Sequence, residues 1–395
     1  MNKLRDVVIT NIKRTPVGSF QGSLASLPAT KLGSIAIKAV IEEGQISIDS
    51  IDEVIMGNVL PAGAGQAPAR QAALGAEIPE SVECLTINKV CGSGLKSVML
   101  ATQAIQTGDA EVIIAGGMES MTNVPYLLPK ARTGYRLGHG KIIDGMVHDG
   151  LWDVYNDIHM GNCAELCAKD RKYTREMQDD FAKQSYERAH KAQSEGWFKN
   201  EIVAVEVPQR RGDPVLVSED EEPQRANFEK MVKLRPAFDR EGTITAANAS
   251  KINDGAGAAI IMSAEKAEEF GLKPLVRIVA QASAAQAPEW FTTAPVKAIQ
   301  KALDKAGLTA DQIDLWEINE AFAAVTMAAV DDFSIPMEKV NIHGGAIAMG
   351  HPIGASGIRI LATLVHAMLR TGANTGLATL CIGGGEAAAL IVEVI

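Results

Sequence analysis

Two short segments of the chain recur in pattern far downstream. The segment IDEVIMGNV (51–59) matches IDLWEINEA (313–321). In the same way, DGAGAAIIM (254–262) matches GGEAAALIV (384–392). The members of each pair lie much farther apart than the roughly 20–50 residues of a solenoid repeat. The pattern therefore predicts a duplicated α/β domain, with two similar halves packed against each other.

Strand-like and helix-like segments alternate through the first third of the chain. Apolar runs at 81–87 and 111–117 are strand candidates. Between them, apolar residues from Leu95 to Ile105 follow helical spacing, and Gly108 can end that helix. This alternation predicts a layered α/β domain with a buried sheet.

The pattern loosens in the middle of the chain, where turn formers and charged residues are frequent. Strand and helix patterns resume near residue 252. We therefore expect an excursion inserted into the first of two similar domains. The predicted division is an N-terminal domain at 1–118 plus 252–272, an inserted domain at 119–251, and a C-terminal domain at 273–395.

Charge and cysteine usage exclude several classes of protein. A formal charge of -10 disfavours nucleic acid as a partner, because binding phosphates takes clustered Lys and Arg. No apolar run approaches the ~20 residues of a membrane span, and the start shows no signal or transit pattern. Five cysteines without framework spacing predict free thiols. We expect a cytoplasmic protein that does not cross a membrane.

Cys91 lies where a predicted strand passes into a helix, in NKVCGSGLKS (88–97). Unpaired backbone N–H groups at a helix N-terminus stabilise a thiolate and favour a nucleophile. Gly92 and Gly94 leave the approach to the sulfur open and let backbone amides face a reacting oxygen. The alternative is that Cys91 is a small buried hydrophobic residue, as many free cysteines are.

A nucleophilic thiol needs a base, and His351 best fits that role. It lies in GGAIAMGHPIGASG (344–357), where glycines and Pro352 predict a fixed loop before a helix that opens at Ser356. His366 lies inside that helix, where we expect a packing role.

Two further polar positions lie at predicted strand ends. Cys381 precedes three glycines, and Asn319 stands between a strand and a helix in WEINEAFAAV (316–325). Asn319 is interpreted either as a helix cap or as a group that positions a water for oxyanion stabilisation. The cysteine and histidine spacing matches neither a zinc site nor a redox CxxC. A structural role is expected for Cys84, Cys163 and Cys167.

Basic residues crowd one stretch directly after the acidic run SEDEE. They are Arg225, Lys230, Lys233, Arg235 and Arg240. Such a cluster is ordinarily a solvated face, and a site for an anionic small ligand is the alternative. Phosphate-binding glycine motifs are absent from the sequence, which disfavours nucleotide hydrolysis and hydride transfer.

Four motifs together resemble the thiolase family and occur in its order: NKVCGSGLKS, NEAF, GHPIGASG and CIGGGEAAA. The resemblance extends over essentially the whole chain and is nearest to the biosynthetic acetoacetyl-CoA thiolases (acetyl-CoA C-acetyltransferases). It implies an α/β thiolase fold, with duplicated βαβαβαββ domains in α-β-α-β-α layers and a loop domain inserted in the first.

The resemblance also implies catalytic roles. Cys91 would carry an acetyl group as a thioester, and His351 would take the proton of its thiol. Cys381 would exchange the proton on the α-carbon of the second acetyl-CoA, or on the leaving CoA in the cleavage direction. Asn319, through a water, would act with His351 on the thioester oxygen. The backbone N–H groups of Cys91 and Gly383 would form a second oxyanion hole.

By the same resemblance, the inserted segment would bind coenzyme A. Ser250 of the NAS motif would lie near the pantetheine, and Arg225 and Lys230 near the nucleotide end. The acyl pocket would be lined by His159, Met160 and Phe322.

The motif AANAS, together with a tyrosine, resembles the potassium-activated members of the family. The candidate K+ ligands are Tyr186, Ala246, Ala247 and Ala249. The chain departs from the family pattern at Lys251, where many relatives carry glycine, and at His343, where asparagine is common. The first change falls beside the NAS motif, and the second places a titratable group close in sequence to His351.

The implied function is the reversible condensation of two acetyl-CoA to acetoacetyl-CoA and CoA, with ping-pong kinetics through an acetyl-Cys91 thioester. The expected partners are these three CoA species, without nucleic acid or membrane, in a homotetramer built as a dimer of dimers. No cofactor is required beyond K+ activation at the Tyr186 site. Fatty-acid metabolism is one of several pathways that would fit.

Four alternative functions make different demands on these residues. A 3-ketoacyl synthase would lack the second cysteine, so Cys381 argues against it. A cysteine-dependent acyl-CoA hydrolase would use Cys91 and His351 to pass the acyl group to water, which leaves Cys381 without a role. A non-catalytic acyl-CoA-binding scaffold would not need the set of reactive residues. A 3-ketoacyl-CoA thiolase of broader specificity differs only in the shape of the pocket.

Overall fold

A computed structural model describes residues 4–395. Residues 1–3 of the predicted N-terminal domain lie outside the described residues. The first part of the chain forms β1 (Val7–Arg14), β2 (Gly18–Ser19), α1 (Ala29–Gly44), β3 (Glu53–Gly57), α2 (Pro68–Gly75), β4 (Glu83–Ile87), α3 (Ser93–Thr107) and β5 (Val112–Ser120).

The middle of the chain forms short hairpins and helices. They are β6 (Tyr126–Leu127), β7 (Ile143–Asp144), β8 (Trp152–Asp153), β9 (Ile158–His159), α4 (Met160–Arg171), α5 (Arg175–Ser194), β10 (Val205–Val207), β11 (Val215–Val217) and α6 (Phe228–Met231).

The last part of the chain returns to long strands and helices. They are β12 (Asn253–Ser263), α7 (Ala264–Glu269), β13 (Val276–Ala285), α8 (Ala294–Ala306), β14 (Leu315–Ile318), α9 (Ala323–Phe333), α10 (Ala346–Met349), α11 (Ser356–Thr371), β15 (Thr375–Ile382) and β16 (Glu386–Val394).

The long strands form two half-sheets that meet edge to edge. The order across both is β14-β15-β16-β13-β1-β12-β5-β3-β4, and the short β2 pairs with β12. The two halves are joined where β1 runs antiparallel to β13, through the pairs Val8↔Arg277 and Ile9↔Val276. Strand β12 pairs with β1 and β5, so the chain rejoins the first half-sheet after the middle segment.

The two repeated sequence segments lie on equivalent strands. Strands β3 and β14 carry the first pair, and each runs parallel to its neighbour, β5 or β15. Strands β12 and β16 carry the second pair, and each is antiparallel to that same neighbour. The predicted duplication is therefore confirmed. The second half departs in one respect, because the counterpart of β4 is reduced to a single bridge between Val340 and Trp316.

Helices form three layers around the half-sheets. Helices α3 and α11 lie in the central layer, where Leu95, Val98, Ile358 and Leu361 share one core with residues of both half-sheets. Helices α1 and α2 cover the outer face of the first half-sheet, and α8, with part of α9, covers that of the second. The predicted α-β-α-β-α layering is confirmed. No helix within residues 4–395 combines the length and apolar character needed to span a bilayer.

The middle segment is anchored to the first half-sheet by a buried ion network. Arg14 on β1 is fully buried and donates to Glu201 at 2.6 Å and to Asp220 at 2.7 and 2.9 Å. Removing one partner of such a network leaves a charge buried without compensation, which is strongly destabilising. The predicted domain boundaries themselves stay a prediction.

Glycines allow the central helices to touch at their N-termini. A Cβ on Gly94 of α3 would lie 2.8 Å from the backbone nitrogen of Ile358 on α11. A Cβ on Gly357 would collide with the backbone nitrogen of Leu95. These contacts hold the chain that leaves Cys91 against the chain that leaves His351.

Replacing Gly94 by alanine should therefore lower the free energy of unfolding by about 1–3 kcal/mol, because a methyl group must be forced between two backbones. Urea denaturation followed by circular dichroism measures this. Gln103→Ala, at an exposed position of the same helix, is the control and should change stability by less than about 0.5 kcal/mol. Equal stability of wild type and Gly94→Ala would show that the contact is not tight.

Candidate active site

A cavity of about 230 Å³ lies where loops of both halves meet the middle segment. Its wall contains four of the five residues predicted to be catalytic: Cys91, His351, Cys381 and Gly383. It also contains four of the predicted binding residues, Ser250, His159, Met160 and Phe322. Residues far apart in sequence are thus brought to one place.

Other predicted residues lie outside this wall. Asn319 is fully buried beside the cavity but does not line it. A second cavity, of about 180 Å³, is lined by Tyr186, Arg225, Lys230, Ala246 and Ala247. Lys251 lines both cavities, so the two are neighbours. Ala249 lines the first cavity rather than the second.

Cys91 lies on a strained turn between β4 and α3. Val90 has φ of 47°, a left-handed conformation that a β-branched residue rarely adopts. The turn is held by Ser93, whose hydroxyl donates to the carbonyl of Val90 at 2.7 Å and accepts from the backbone of Lys89 at 2.8 Å. Strain of this kind persists where the surroundings fix a functional group. Here it presents the thiol to the cavity one residue before the helix cap, Gly92.

Burial decides the protonation state of the Cys91 thiol. It raises the pKa of Cys91 to about 11, against the opposing effect of the backbone N–H groups of Gly383 and Cys91 itself. The negative charge of Glu119 raises it further. The backbone N–H groups do favour the thiolate, as expected, but desolvation outweighs their effect. The resting group is a neutral thiol.

His351 is held as a neutral imidazole with one defined tautomer. Its Nδ1 lies 2.5 Å from the hydroxyl of Ser356, which itself donates to the carbonyl of Pro352 at 2.9 Å. A hydroxyl has one proton to give, so Nδ1–H must donate to Ser356. Nε2 therefore carries a lone pair, and it has no partner within residues 4–395. Burial, followed by the charge of Arg359, lowers the pKa of His351 to about 3.

The raised pKa of Cys91 and the lowered pKa of His351 predict how Cys91 reacts with iodoacetamide. The thiol is unionised below its raised pKa, so the alkylation rate should rise about tenfold per pH unit from pH 6 to pH 9 without a plateau. Mass spectrometry of the Cys91 peptide measures the rate, and Cys84, which does not line the cavity, is followed as an internal reference. A rate that levels off below pH 8 would indicate a thiolate–imidazolium pair instead.

Cys381 lies at the end of β15, opposite Ala387 of β16. It is buried, and burial, followed by the proximity of Cys91, raises its pKa well above the usual value. The glycines after it turn the chain, with φ of 86° at Gly384 and 83° at Gly385. This turn brings the N–H of Gly383 toward the sulfur of Cys91.

Asn319 is oriented by a buried arginine that sequence analysis did not single out. Arg359 donates to the side-chain oxygen of Asn319 at 3.4 Å and lies 3.6 Å from the carboxylate of Glu317. The side-chain Nδ2 of Asn319 is buried without a partner among residues 4–395. An arginine in the first turn of helix α11, within a run of apolar residues, was the signal that could have identified it.

Glu119 is a second residue that sequence analysis missed. Its carboxylate accepts from the backbone of Val59, Leu60 and Gly354 at 3.0, 3.2 and 2.9 Å, and from Asn58 at 2.7 Å. Burial raises its pKa to about 7, against these bonds. The carboxylate ties the His351 loop to the loop after β3. An acid at the end of an apolar strand, in GGMES, was the available signal.

Aromatic rings narrow one end of the cavity, where the acyl pocket is expected. The imidazole of His159 stacks on Phe238 with centroids 4.7 Å apart, and its Nδ1 accepts from the backbone of Gly161. Phe322 lies edge-on to Phe238 at 6.0 Å and to Phe291 at 6.2 Å. Phe238 and Phe291 carry no motif, so sequence analysis could not select them. The resulting pocket is mostly carbon and suits a short acyl group.

The remaining departure, His343, and the remaining buried cysteines make structural contacts, and Cys163 shares its small core with Cys381 and Phe322. His343 accepts from Arg370 at 3.1 and 2.9 Å and packs on Trp197. Burial, then Arg370, lowers its pKa to about 3, so it stays neutral and does not titrate with His351. Cys163 and Cys167 are buried in small cores. His366 packs within the fold and hydrogen-bonds the carbonyl of Ile12 at 3.1 Å.

Comparison with known proteins gives one consistent result. The family model described as thiolase, N-terminal domain, matches residues 7–265, and that described as thiolase, C-terminal domain, matches residues 272–394. Acetyl-CoA acetyltransferase of Cupriavidus necator is 54% identical over 391 residues, which are 99% of this chain and 100% of that protein.

Two solved structures share the fold over essentially their whole length. A thiolase of Ascaris suum in complex with coenzyme A is 42% identical, with a TM-score of 0.94, and covers 99% of this chain and 100% of its own. The acetyl-CoA acetyltransferase of Bacillus anthracis is 39% identical, with a TM-score of 0.98, and both chains are covered completely. These likenesses confirm the predicted fold class.

Proposed function

The chain belongs to the thiolase family, and from that premise we propose that it is an acetyl-CoA C-acetyltransferase. It condenses two acetyl-CoA to acetoacetyl-CoA and CoA, and catalyses the reverse cleavage. The observation that carries the proposal is the convergence of two thiols, Cys91 and Cys381, with the free Nε2 of His351 on one small cavity. A single acyl transfer needs only one of those thiols.

In the first half-reaction, the sulfur of Cys91 attacks the carbonyl carbon of acetyl-CoA while His351 Nε2 takes the thiol proton. The bond between carbon and the CoA sulfur then breaks, and CoA leaves with a proton. Because both resting groups are neutral, the proton moves as the bond to carbon forms. The product is acetyl-Cys91 and free CoA, which explains the expected ping-pong kinetics.

In the second half-reaction, the Cys381 thiol first gives its proton to His351 Nε2, which has passed the Cys91 proton to the leaving CoA. The Cys381 thiolate then removes a proton from the methyl group of a second acetyl-CoA. Thioester α-protons are weakly acidic, so a base with a raised pKa is suited to the task. The resulting carbanion attacks the carbonyl of acetyl-Cys91, a carbon–carbon bond forms, and Cys91 leaves as the thiolate, which is then reprotonated. Exchange of one thioester for another keeps both directions accessible.

Two sets of donors serve the oxyanions that form. The N–H groups of Cys91 and Gly383 already point toward the Cys91 sulfur, where the carbonyl of the acetyl-enzyme would lie. The buried Nδ2 of Asn319, fixed from the other side by Arg359, suits a water that it shares with His351. That pair would stabilise the enolate of the second acetyl-CoA.

Coenzyme A would reach the thiols past Ser250, with its nucleotide end near Arg225 and Lys230. Support comes from the two cavities lying next to each other at Lys251 and from the exposed cationic side chains that line the second cavity. We propose no cofactor besides the CoA substrates. The narrow aromatic end supports short acyl groups over the longer chains of a broad-specificity 3-ketoacyl-CoA thiolase.

Purified protein with acetoacetyl-CoA and CoA tests the function through loss of the enolate absorbance. We expect cleavage that requires added CoA and yields two acetyl-CoA per acetoacetyl-CoA. Release of CoA that proceeds in water alone would indicate a cysteine hydrolase. A chain-length series of 3-ketoacyl-CoA substrates then tests the acyl pocket, and rates that hold beyond four carbons would contradict the short-chain proposal.

Assembly and location are also proposed. A homotetramer is supported by apolar side chains on the loop between β6 and β7, where Leu128 is 51% exposed, Leu137 99% and Ile142 66%. An edge strand with an exposed Leu85 suits pairing within a dimer. Location in the cytoplasm is supported by five free cysteines, because thiols stay reduced in that compartment. A role in fatty-acid metabolism is proposed only because the CoA thioester substrates would fit it.

A further inference from the structure

Lys251 places a positive charge at the junction of the two cavities. Its ammonium group donates to the carbonyl oxygens of Ala249 and Ile347, at 3.2 Å each. It lies 5.4 Å from the centroid of the Tyr186 ring, within cation–π range. The carboxylates of Glu222 and Glu320, both buried, lie near enough to act on its charge.

This arrangement has the ligands of a monovalent cation site. Backbone carbonyls that replace a hydration shell are what K+ requires, and the K+ ligands expected from the sequence include Ala249 and Tyr186. Here the ammonium already engages the carbonyl of Ala249 and covers the ring of Tyr186. A second cation in the same place would meet a like charge and occupied oxygens, so the residues present do not fit K+.

We propose that the Lys251 ammonium is a tethered internal cation that takes the place of a bound monovalent ion, so that this chain works without K+. The proposal goes beyond the acetyl transfer itself but rests on that function for its activity readout. Lys251 is a positioning residue, because its ammonium reaches the loop carbonyls rather than the thiols.

The two carbonyls that it joins belong to the parts of the chain that present substrate and base. Ala249 precedes Ser250, whose N–H donates to the carbonyl of Ala321 at 3.0 Å. Ile347 lies in α10, just before the loop of His351, and its N–H donates to Glu320 at 3.1 Å. The ammonium therefore links the pantetheine loop to the His351 segment. Without it, the two carbonyls would lose their shared charged donor, and Glu222 and Glu320 would lose a nearby positive charge.

Wild type, Lys251→Gly, Lys251→Met and Lys251→Arg are compared in KCl and NaCl at equal ionic strength. Thiolysis of acetoacetyl-CoA and the thermal midpoint of unfolding are both measured. Wild type and Lys251→Arg should be equal in the two salts. Lys251→Gly should lose about tenfold or more in kcat/KM in NaCl, since charge-assisted bonds are lost, and should recover activity and thermal midpoint in KCl. Lys251→Met should stay impaired in both, because its side chain fills the space.

Lys273→Gly, which removes an exposed loop lysine, is the control and should match wild type. A wild-type rate or midpoint that is higher in K+ than in Na+ would overturn the proposal. So would a Lys251→Gly variant as active as wild type in NaCl, or one that neither K+ nor NH4+ restores. If Lys251→Gly does not fold, the comparison of Lys251→Met with Lys251→Arg decides whether the charge is needed. Absence of thiolysis in every salt would reject the proposed function, while the thermal midpoints still test the cation.

Discussion

Replacing Cys91 by serine should abolish cleavage of acetoacetyl-CoA, with a loss in kcat on the order of 10⁴-fold or more. The hydroxyl of serine is a far weaker nucleophile at neutral pH, and the covalent intermediate cannot form as a thioester. The enolate absorbance assay measures the loss. No acetyl group should be found on the Cys91→Ser protein by mass spectrometry after incubation with acetyl-CoA.

Cys84→Ser is the matched control for that variant. Cys84 lies on β4, just before the catalytic turn, and does not line the cavity, so activity should change less than about twofold. If Cys91→Ser keeps more than a small percentage of the wild-type thiolysis rate, Cys91 is not the nucleophile. Loss of activity in both variants would point to damage of the strand rather than to chemistry.

Replacing Cys381 by serine should lower kcat by about 10²–10⁴-fold, the range of a general acid–base group. Its effect should differ in kind from that of Cys91→Ser. The proposed first half-reaction does not use Cys381 as a base toward carbon, so Cys91 should still become acetylated by acetyl-CoA. Exchange of deuterium from solvent into the methyl group of acetyl-CoA should fall with kcat.

The effects of Cys381→Ser on acetylation of Cys91 and on carbon–carbon bond chemistry, compared with each other, distinguish a thiolase from a hydrolase. If Cys381→Ser still acetylates Cys91 but no longer makes or breaks the carbon–carbon bond, the two thiols act in different half-reactions. If Cys381→Ser cleaves acetoacetyl-CoA at the wild-type rate, Cys381 has no catalytic role. If it also fails to acetylate Cys91, the residue acts on the first thiol instead of on the α-carbon.

The features that sequence analysis predicted share a physical reason. Periodicity and repetition report on neighbours in the chain and on burial, so the duplicated halves and the helix that ends at Gly108 were predictable. Cys91, His351 and Cys381 stand at junctions rich in glycine, and such junctions occur where backbones turn or approach closely. Residues of that kind leave a pattern before any fold is known.

The features that sequence analysis missed depend on three-dimensional surroundings. Phe238 and Phe291 meet at the acyl pocket only after the middle segment folds back on the second half. The direction of the Cys91 pKa reflects a balance between burial and amide dipoles that a linear pattern does not contain. Lys251 was visible as a departure, but the carbonyl of Ile347 that it reaches lies 96 positions along the chain.

The connection of the half-sheets bears on how the protein acquires activity during folding. Pairing of β5 with β12 must close a loop between Ser120 and Asp254, whereas the second half is continuous from β13 to β16 and closes shorter loops. A nascent chain therefore cannot complete the first half-sheet until β12 has been synthesised. Because Cys91 comes from the first half and His351 and Cys381 come from the second, the proposed active site is complete only after the two halves have docked. The rate at which activity recovers on refolding therefore measures the docking of the two halves and not the formation of secondary structure.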